Sequence, residues 1–236
     1  MRSPGHIWRV LRRVGLAESA STLARKVLQP MLEAPRSKAS GWRASRYAMY
    51  SALQNAAVRA GAPPGGVHLS ISHSERLIEI VGLRGTVRDC SWPDFDLCDL
   101  AVPDQSVDSI VSDQVLEHLH GSPFDALRES ARVLKPGGLI VHTTVFSHHL
   151  HPKPYDHWRF SPQGLARLAD SAGLVTLELG GNGNDLIRWF SKSRWLWLID
   201  VPRSRLNPIG RLLLRDDGRL PSQVWIVAQK PAQPTT

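Results

Sequence analysis

The sequence predicts an α/β protein: a mostly parallel sheet covered by helices on both faces, with a helical N-terminal extension. Three observations predict it. From about residue 63 onward, short apolar runs alternate with helix-forming stretches. The run Val107 to Ser112 reads as a strand buried on both sides. Helix starts and stops are written into the chain, as in Ser161-Pro162, where serine suits the cap and proline the first helical position.

In chain order, residues 1–62 form the extension. Ile7, Val10, Leu11 and Val14 share one helical face; Leu23, Val27 and Leu28 share another before Pro30. Residues 37–44 are a basic linker, and Tyr47 to Ala60 reads as one helix that ends at Ala62-Pro63-Pro64-Gly65-Gly66. The α/β domain then occupies 63–236. Strand signals cover Val67–Ser72, Thr86–Cys90, Phe95–Leu97, Val107–Ser112, Gly138–Thr144, Leu174–Leu179 and Val224–Ala228. Helix signals cover Glu75–Val81, a short helix carrying Glu117-His118, Phe124–Leu134, and the stretch from Pro162 that buries Leu165, Leu168 and Ala172 and stops at Gly173.

A length of 236 residues suits one α/β domain with a sizeable core. No apolar run reaches the ~20 residues that span a bilayer. Arg9, Arg12 and Arg13 interrupt the N-terminus, so no secretory signal is read there. Two cysteines, Cys90 and Cys98, make no disulfide framework and suit a reducing cytoplasm, the expected location. The net charge of +8 permits anionic partners. The basic residues are scattered and lack interleaved aromatics, so no nucleic-acid partner is expected. The stretch from Leu186 to Leu214, with Trp189, Trp195 and Trp197, suits a lid, a dimer face or peripheral contact with an anionic membrane.

The segment from Asp96 through Pro103-Asp104, the strand ending at Asp113-Gln114, and Arg132-Val-Leu-Lys-Pro-Gly-Gly138 resembles the second half of a class I S-adenosylmethionine-dependent methyltransferase domain. The resemblance implies a Rossmann-like sheet with an antiparallel last strand and S-adenosyl-L-methionine as cofactor. In that family the first strand leads into an acid and a Gly-x-Gly loop. Here those positions read Ser70, Ser72 and Ser74, a degenerate loop without glycine's freedom at positive φ. By the same resemblance Asp89 corresponds to the acid that holds ribose, Asp96 and Leu97 to the adenine site with Asp99 as second choice, and Asp113 and Gln114 to the end of the fourth strand. The Lys135–Gly138 turn is structural.

The stretch from Phe146 to Ser161, with His151-Pro152 and Pro154-Tyr-Asp-His-Trp-Arg-Phe160, resembles an element found after the fifth strand in a methyltransferase subgroup linked to cell-surface and storage glycans. It implies O-methylation of a sugar or glycan hydroxyl, a reaction that needs a base; His118, His151 and His148 are the candidates. His142, His149, His157 and Asp156 gather in the same stretch. No metal ligands are assigned, because no pair shows helical i, i+4 spacing and the prolines place these residues on a loop. Arg159 against Asp156 reads as a clamp. Two other functions fit the same residues: methylation of a small or lipid-linked acceptor at a membrane surface, and a non-catalytic binding domain that kept the fold.

Overall fold

The computed structural model describes residues 41–62, 64–151, 155–184, 187, 200–203, 207–216 and 219–232. The expected helices before residue 37 and the three tryptophans at 189, 195 and 197 lie outside them.

A six-stranded sheet forms the centre, in the order β3-β2-β4-β5-β8-β6. Its strands are β2 (Val67–Ile71), β3 (Thr86–Cys90), β4 (Val107–Asp113), β5 (Leu134–Val145), β6 (Val175–Asn182) and β8 (Gln223–Gln229). β3, β2, β4 and β5 run parallel, so their carboxyl ends share one edge. β8 lies antiparallel between β5 and β6. This is the Rossmann-like sheet with an antiparallel last strand. Two further strands, β1 (Gly41–Arg43) and β7 (Asp200–Pro202), pair as a separate antiparallel ribbon.

Alternate residues of the central strands feed two cores, as the two-residue period requires. Val111, Val141 and Val227 face one side, with α1 (Tyr47–Leu53), α2 (Ala56–Arg59) and α3 (Glu75–Val81) packed on them. Ile110, Ile140 and Ala228 face the other, under α4 (Pro123–Val133) and α5 (Pro162–Ser171). A short helix, α6 (Pro208–Leu213), adds Leu213 to the first core. The segment from Trp42 to Ala57 thus contributes to the main core: Met49, Leu53, Ala56 and Ala57 are fully buried.

Local chemistry explains the boundaries. Ser161 caps α5, its hydroxyl accepting from Gly164 N at 3.1 Å, and Ser122 caps α4 by accepting from Phe124 N. Gly173 at φ 73° follows the end of α5. The helix expected from Tyr47 to Ala60 is two helices. Asn55 between them is left-handed at φ 58°, a conformation asparagine tolerates, and its N–H donates to Ile80 O. No strand forms at Phe95–Leu97. Asp96 Oδ1 accepts from Cys98 N at 2.9 Å, an aspartate-closed turn that competes with extension. Lys135–Gly138 opens β5 rather than preceding it. Leu134 already pairs with Val107, Gly137 N donates to Lys230 O, and Lys135 meets Asp108 at 2.8 Å. Among the described residues no helix is long and apolar enough to cross a membrane.

Candidate active site

An open cleft of about 720 Å³ including its mouth lies beyond the carboxyl ends of β2 and β4. This is where parallel α/β sheets bind ligands. Ile71 and Ser72 form its floor; Trp92, Phe95, Asp96 and Leu97 form one wall; Asp113, Gln114, Val115, His118, Leu119 and His120 form the other.

The floor turns without glycine. Ser72 and His73 are both left-handed, at φ 52° and 62°. Such residues cost roughly 1–2 kcal/mol each, so neighbouring bonds must hold them. Asp89 Oδ1 accepts from His73 N and from Ser70 Oγ, both at 3.0 Å. Ser70 Oγ accepts from Ser74 N at 2.8 Å, and Ser74 Oγ donates to Ile71 O while accepting from Asp113 N. The expectation that serines deny the loop positive φ is therefore corrected: the hydroxyls of Ser70 and Ser74 lock the turn that glycine would merely permit. Both side chains are buried beneath the loop; Ser72 is the serine at the cleft surface.

Asp89 stands at the end of β3 and is also engaged. Its Oδ2 accepts from Ser91 Oγ and lies 3.2 Å from His73 Nδ1. Burial would raise its carboxyl, but the bonds from Ser91, His73 N and Ser70 outweigh this and hold it below the usual aspartate value. Four contacts use up the lone pairs of a carboxylate, so Asp89 fastens the turn. Asp96 and Leu97 do line the cleft, whereas the second choice, Asp99, does not.

Asp113, at the end of β4, receives three partners. Thr143 Oγ1 donates to Oδ1 at 2.8 Å; the Tyr50 hydroxyl and the Arg46 guanidinium both meet Oδ2. Burial would lower the Arg46 pKa, but Asp113 and Tyr50 raise it above its usual value. The Tyr50 hydroxyl is raised as well, by burial and then by Asp113. Asp113 thus fastens α1 over the edge of the site. Next to it, Gln114 is left-handed at φ 61° and bonds Thr143 through both its backbone and side-chain amides.

At the mouth, the loop after β5 is strapped to the 3₁₀ turn Leu116–His118. His157 N and Trp158 N both donate to Glu117 O, and Trp158 Nε1 donates to Leu119 O. Arg159 grips Asp156 through two nitrogens, and Asp156 Oδ2 accepts from His151 N at 2.9 Å. These bonds hold the Asp156 carboxyl well below its usual range. The expected clamp is present. His118 and His151 come together edge to face, 4.9 Å between ring centroids, and His148 stands 5.0 Å from His151. Burial lowers the His148 pKa. Tyr155 and His157 stack at 5.5 Å beside His120. His142 does not join them. It is fully buried in the sheet, its Nδ1 2.7 Å from Ser112 Oγ, and burial pushes its pKa down to about 4.

Several residues of the site escaped the sequence reading. Trp92, Phe95 and His120 carried no motif. Tyr50 was read only as part of a helix, and Arg46 falls between the linker and that helix. Glu117 was read only as the neighbour of His118.

Residues 55–142 match the profile of a family described as methyltransferase domain. That stretch runs from the second helix of the N-terminal part to the fifth strand and holds most of the cleft. No curated protein matches it by sequence. Among solved structures, the domain resembles a Galdieria sulphuraria protein described as a sarcosine dimethylglycine methyltransferase. That likeness is 14% identical, with TM-score 0.50, over 78% of this chain and 85% of the other. A Haloferax volcanii methyltransferase, solved with the Trm112 activator, is 20% identical with TM-score 0.51, over 79% and 90%. At such identities these likenesses speak to the fold. The left-handed turn, the aromatic side chains of Trp92 and Phe95 and the acid at Asp96 fit a nucleoside-bearing donor.

Proposed function

We propose that this chain is an S-adenosylmethionine-dependent methyltransferase that methylates a hydroxyl of a sugar or glycan. The observation that carries the acceptor class is the arrangement at the mouth. A histidine cluster sits at the edge of the cleft, and two exposed rings, Trp92 in the cleft wall and Tyr155 beside it, both contact His120. Exposed rings give flat apolar faces on which the C–H face of a sugar ring packs.

Asp96 and Leu97 would hold the adenine end of the donor, Trp92 and Phe95 would flank it, and the turn at Ser72 lets the backbone approach. S-adenosylmethionine supplies, when bound, a methyl group on a cationic sulfur open to in-line attack. The protein's share is to hold the acceptor oxygen in line and to exclude water. A hydroxyl must also lose its proton as the new C–O bond forms, and the cluster of His118, His148 and His151 is the place for that proton.

Titration calorimetry with S-adenosylhomocysteine tests the donor site. Asp96→Ala should weaken binding by about 1–3 kcal/mol, or ~5–150-fold, the scale of a lost polar contact. Wild-type protein that binds no S-adenosylhomocysteine at millimolar concentration would overturn the proposal. Methyl transfer from labelled donor to a panel of mono- and oligosaccharides tests the acceptor. Transfer only to amines or to lipids would remove the sugar assignment.

A further inference from the structure

Glu117, His118 and His151 each offer one ligating atom, and these atoms lie within 4.8 Å of one another. We propose that they form a binding site for a single divalent transition-metal ion of the zinc type, at the edge of the cofactor cleft.

The independent observation is on Glu117. Its side chain is completely buried, and only one oxygen is satisfied: Oε2 accepts from Thr144 Oγ1 at 2.7 Å, while Oε1 has no hydrogen-bond partner. A buried carboxylate oxygen with nothing to accept from is costly and rarely kept without a use. A cation beside it removes the cost.

The two imidazoles are set as metal-binding histidines usually are. Such residues turn one ring nitrogen to a carbonyl or carboxylate, which leaves the lone pair on the other. His118 Nδ1 meets the Tyr155 carbonyl oxygen. His151 Nδ1 lies 3.1 Å from His149 O and 3.3 Å from Asp156 Oδ2. In each ring, Nδ1 donates and Nε2 keeps the lone pair. Ligands at zinc distances sit roughly 3.4 Å apart, so shifts of about an ångström close the set.

Charge agrees. Two guanidiniums stand in the neighbourhood, but Arg46 is paired with Asp113 and Arg159 with Asp156, so neither repels a cation strongly. Burial raises the Glu117 carboxyl above its usual value, and a metal ion would displace the proton that burial favours.

Two imidazoles and one carboxylate are the protein ligands of open catalytic zinc sites, in which a further position takes water or substrate. His118 also lines the cleft, so that position is within reach of an acceptor. Its role in the chemistry rests on the hydroxyl-methylation reading. With His118 and His151 as ligands, the proton falls to the third member of the cluster: a hydroxyl bound to the ion becomes more acidic, its O–H proton passes to His148, and its oxygen attacks the methyl carbon as the sulfur–carbon bond breaks.

The test does not depend on activity. Full-length protein is incubated with Zn²⁺, exchanged into metal-free buffer and assayed by elemental analysis; a parallel sample takes Co²⁺ for visible spectroscopy. Wild type should hold one equivalent of zinc and give a tetrahedral Co²⁺ absorption. Glu117→Gln, which preserves shape, and His151→Gln should each lower zinc affinity at least ~100-fold and abolish the Co²⁺ band. Both should still bind S-adenosylhomocysteine within about threefold of wild type, which shows that they are folded. Wild type that holds no zinc overturns the proposal even if methyl transfer is found. So does a full equivalent retained by folded Glu117→Gln and His151→Gln. A metal-loaded protein that fails to methylate sugars leaves the site standing and overturns its acceptor role.

Discussion

Removing the Asp113 carboxylate should unfasten the N-terminal part of the structure from the cofactor cleft. The Asp113 side chain is 10% exposed and that of Arg46 24%, so the pair is largely, not wholly, out of water. Deleting one partner of a fully buried pair costs about 3–5 kcal/mol, because a charge is left without compensation; with a quarter of Arg46 exposed, Asp113→Ala should cost about 2–4 kcal/mol. The hydroxyls of Tyr50 and Thr143 lose their acceptor in the same step. Tyr50→Phe removes one bond to a charged group and should cost less, about 1–2 kcal/mol. Urea unfolding at pH 7 measures both. In an Arg46→Met background, Asp113→Ala should cost at least ~1 kcal/mol less than in wild type, since the orphaned cation is gone. If Asp113→Ala lies within about 0.5 kcal/mol of wild type, the network does not fasten α1 to the sheet.

Two more measurements bear on the structure. His142 has a folded pKa of about 4 against about 6.5 when unfolded, so the unfolded chain binds more protons between those values. Its contribution is complete above pH 6.5 and falls as the pH drops toward 4, by about 3 kcal/mol in total. Urea unfolding at pH 7 and pH 5 should show a smaller loss for His142→Gln than for wild type; equal losses would refute this. A Cβ on Gly183 would lie 2.4 Å from Leu220 O and 2.7 Å from Ser222 N, both backbone, whereas one on Gly65 meets nothing within 4 Å. Gly183→Ala should therefore lower stability by about 1–3 kcal/mol while Gly65→Ala stays near neutral; a neutral Gly183→Ala would mean that the Leu220–Ser222 backbone gives way.

The sheet and its helices were legible because period, caps and apolar runs all agreed. Val107–Asp113 and the Ser161-Pro162 helix start show this most clearly. Asn55 and the Asp96 turn were not legible, because one left-handed residue or one side-chain bond overrides a pattern that still reads as helix or strand. At the site, Gln114 and the histidine loop lie just beyond β4 and β5, the strands read for them, while Asp96 and Leu97 reach the cleft from a loop rather than a strand end. The sequence reading misjudged the serine loop, because the bonds that fix the turn join His73 and Ser70 to Asp89 and Ser74 to Asp113, partners 16 to 39 residues apart. The isolation of Glu117 Oε1 was equally invisible: an unmet hydrogen bond belongs to the packed molecule.

The position of β8 has a consequence for how the protein is made. The final strand in sequence becomes an interior strand of the sheet, with β5 on one side and β6 on the other. Until residues 223–229 leave the ribosome, β5 presents an open edge and β6 has no partner in the sheet. The nascent chain must carry both unpaired edges until residues 223–229 are made, a state prone to association with other chains. Loss of residues 223–229 would therefore act as an internal deletion, splitting β6 and its contacts from the parallel half that bears the cleft.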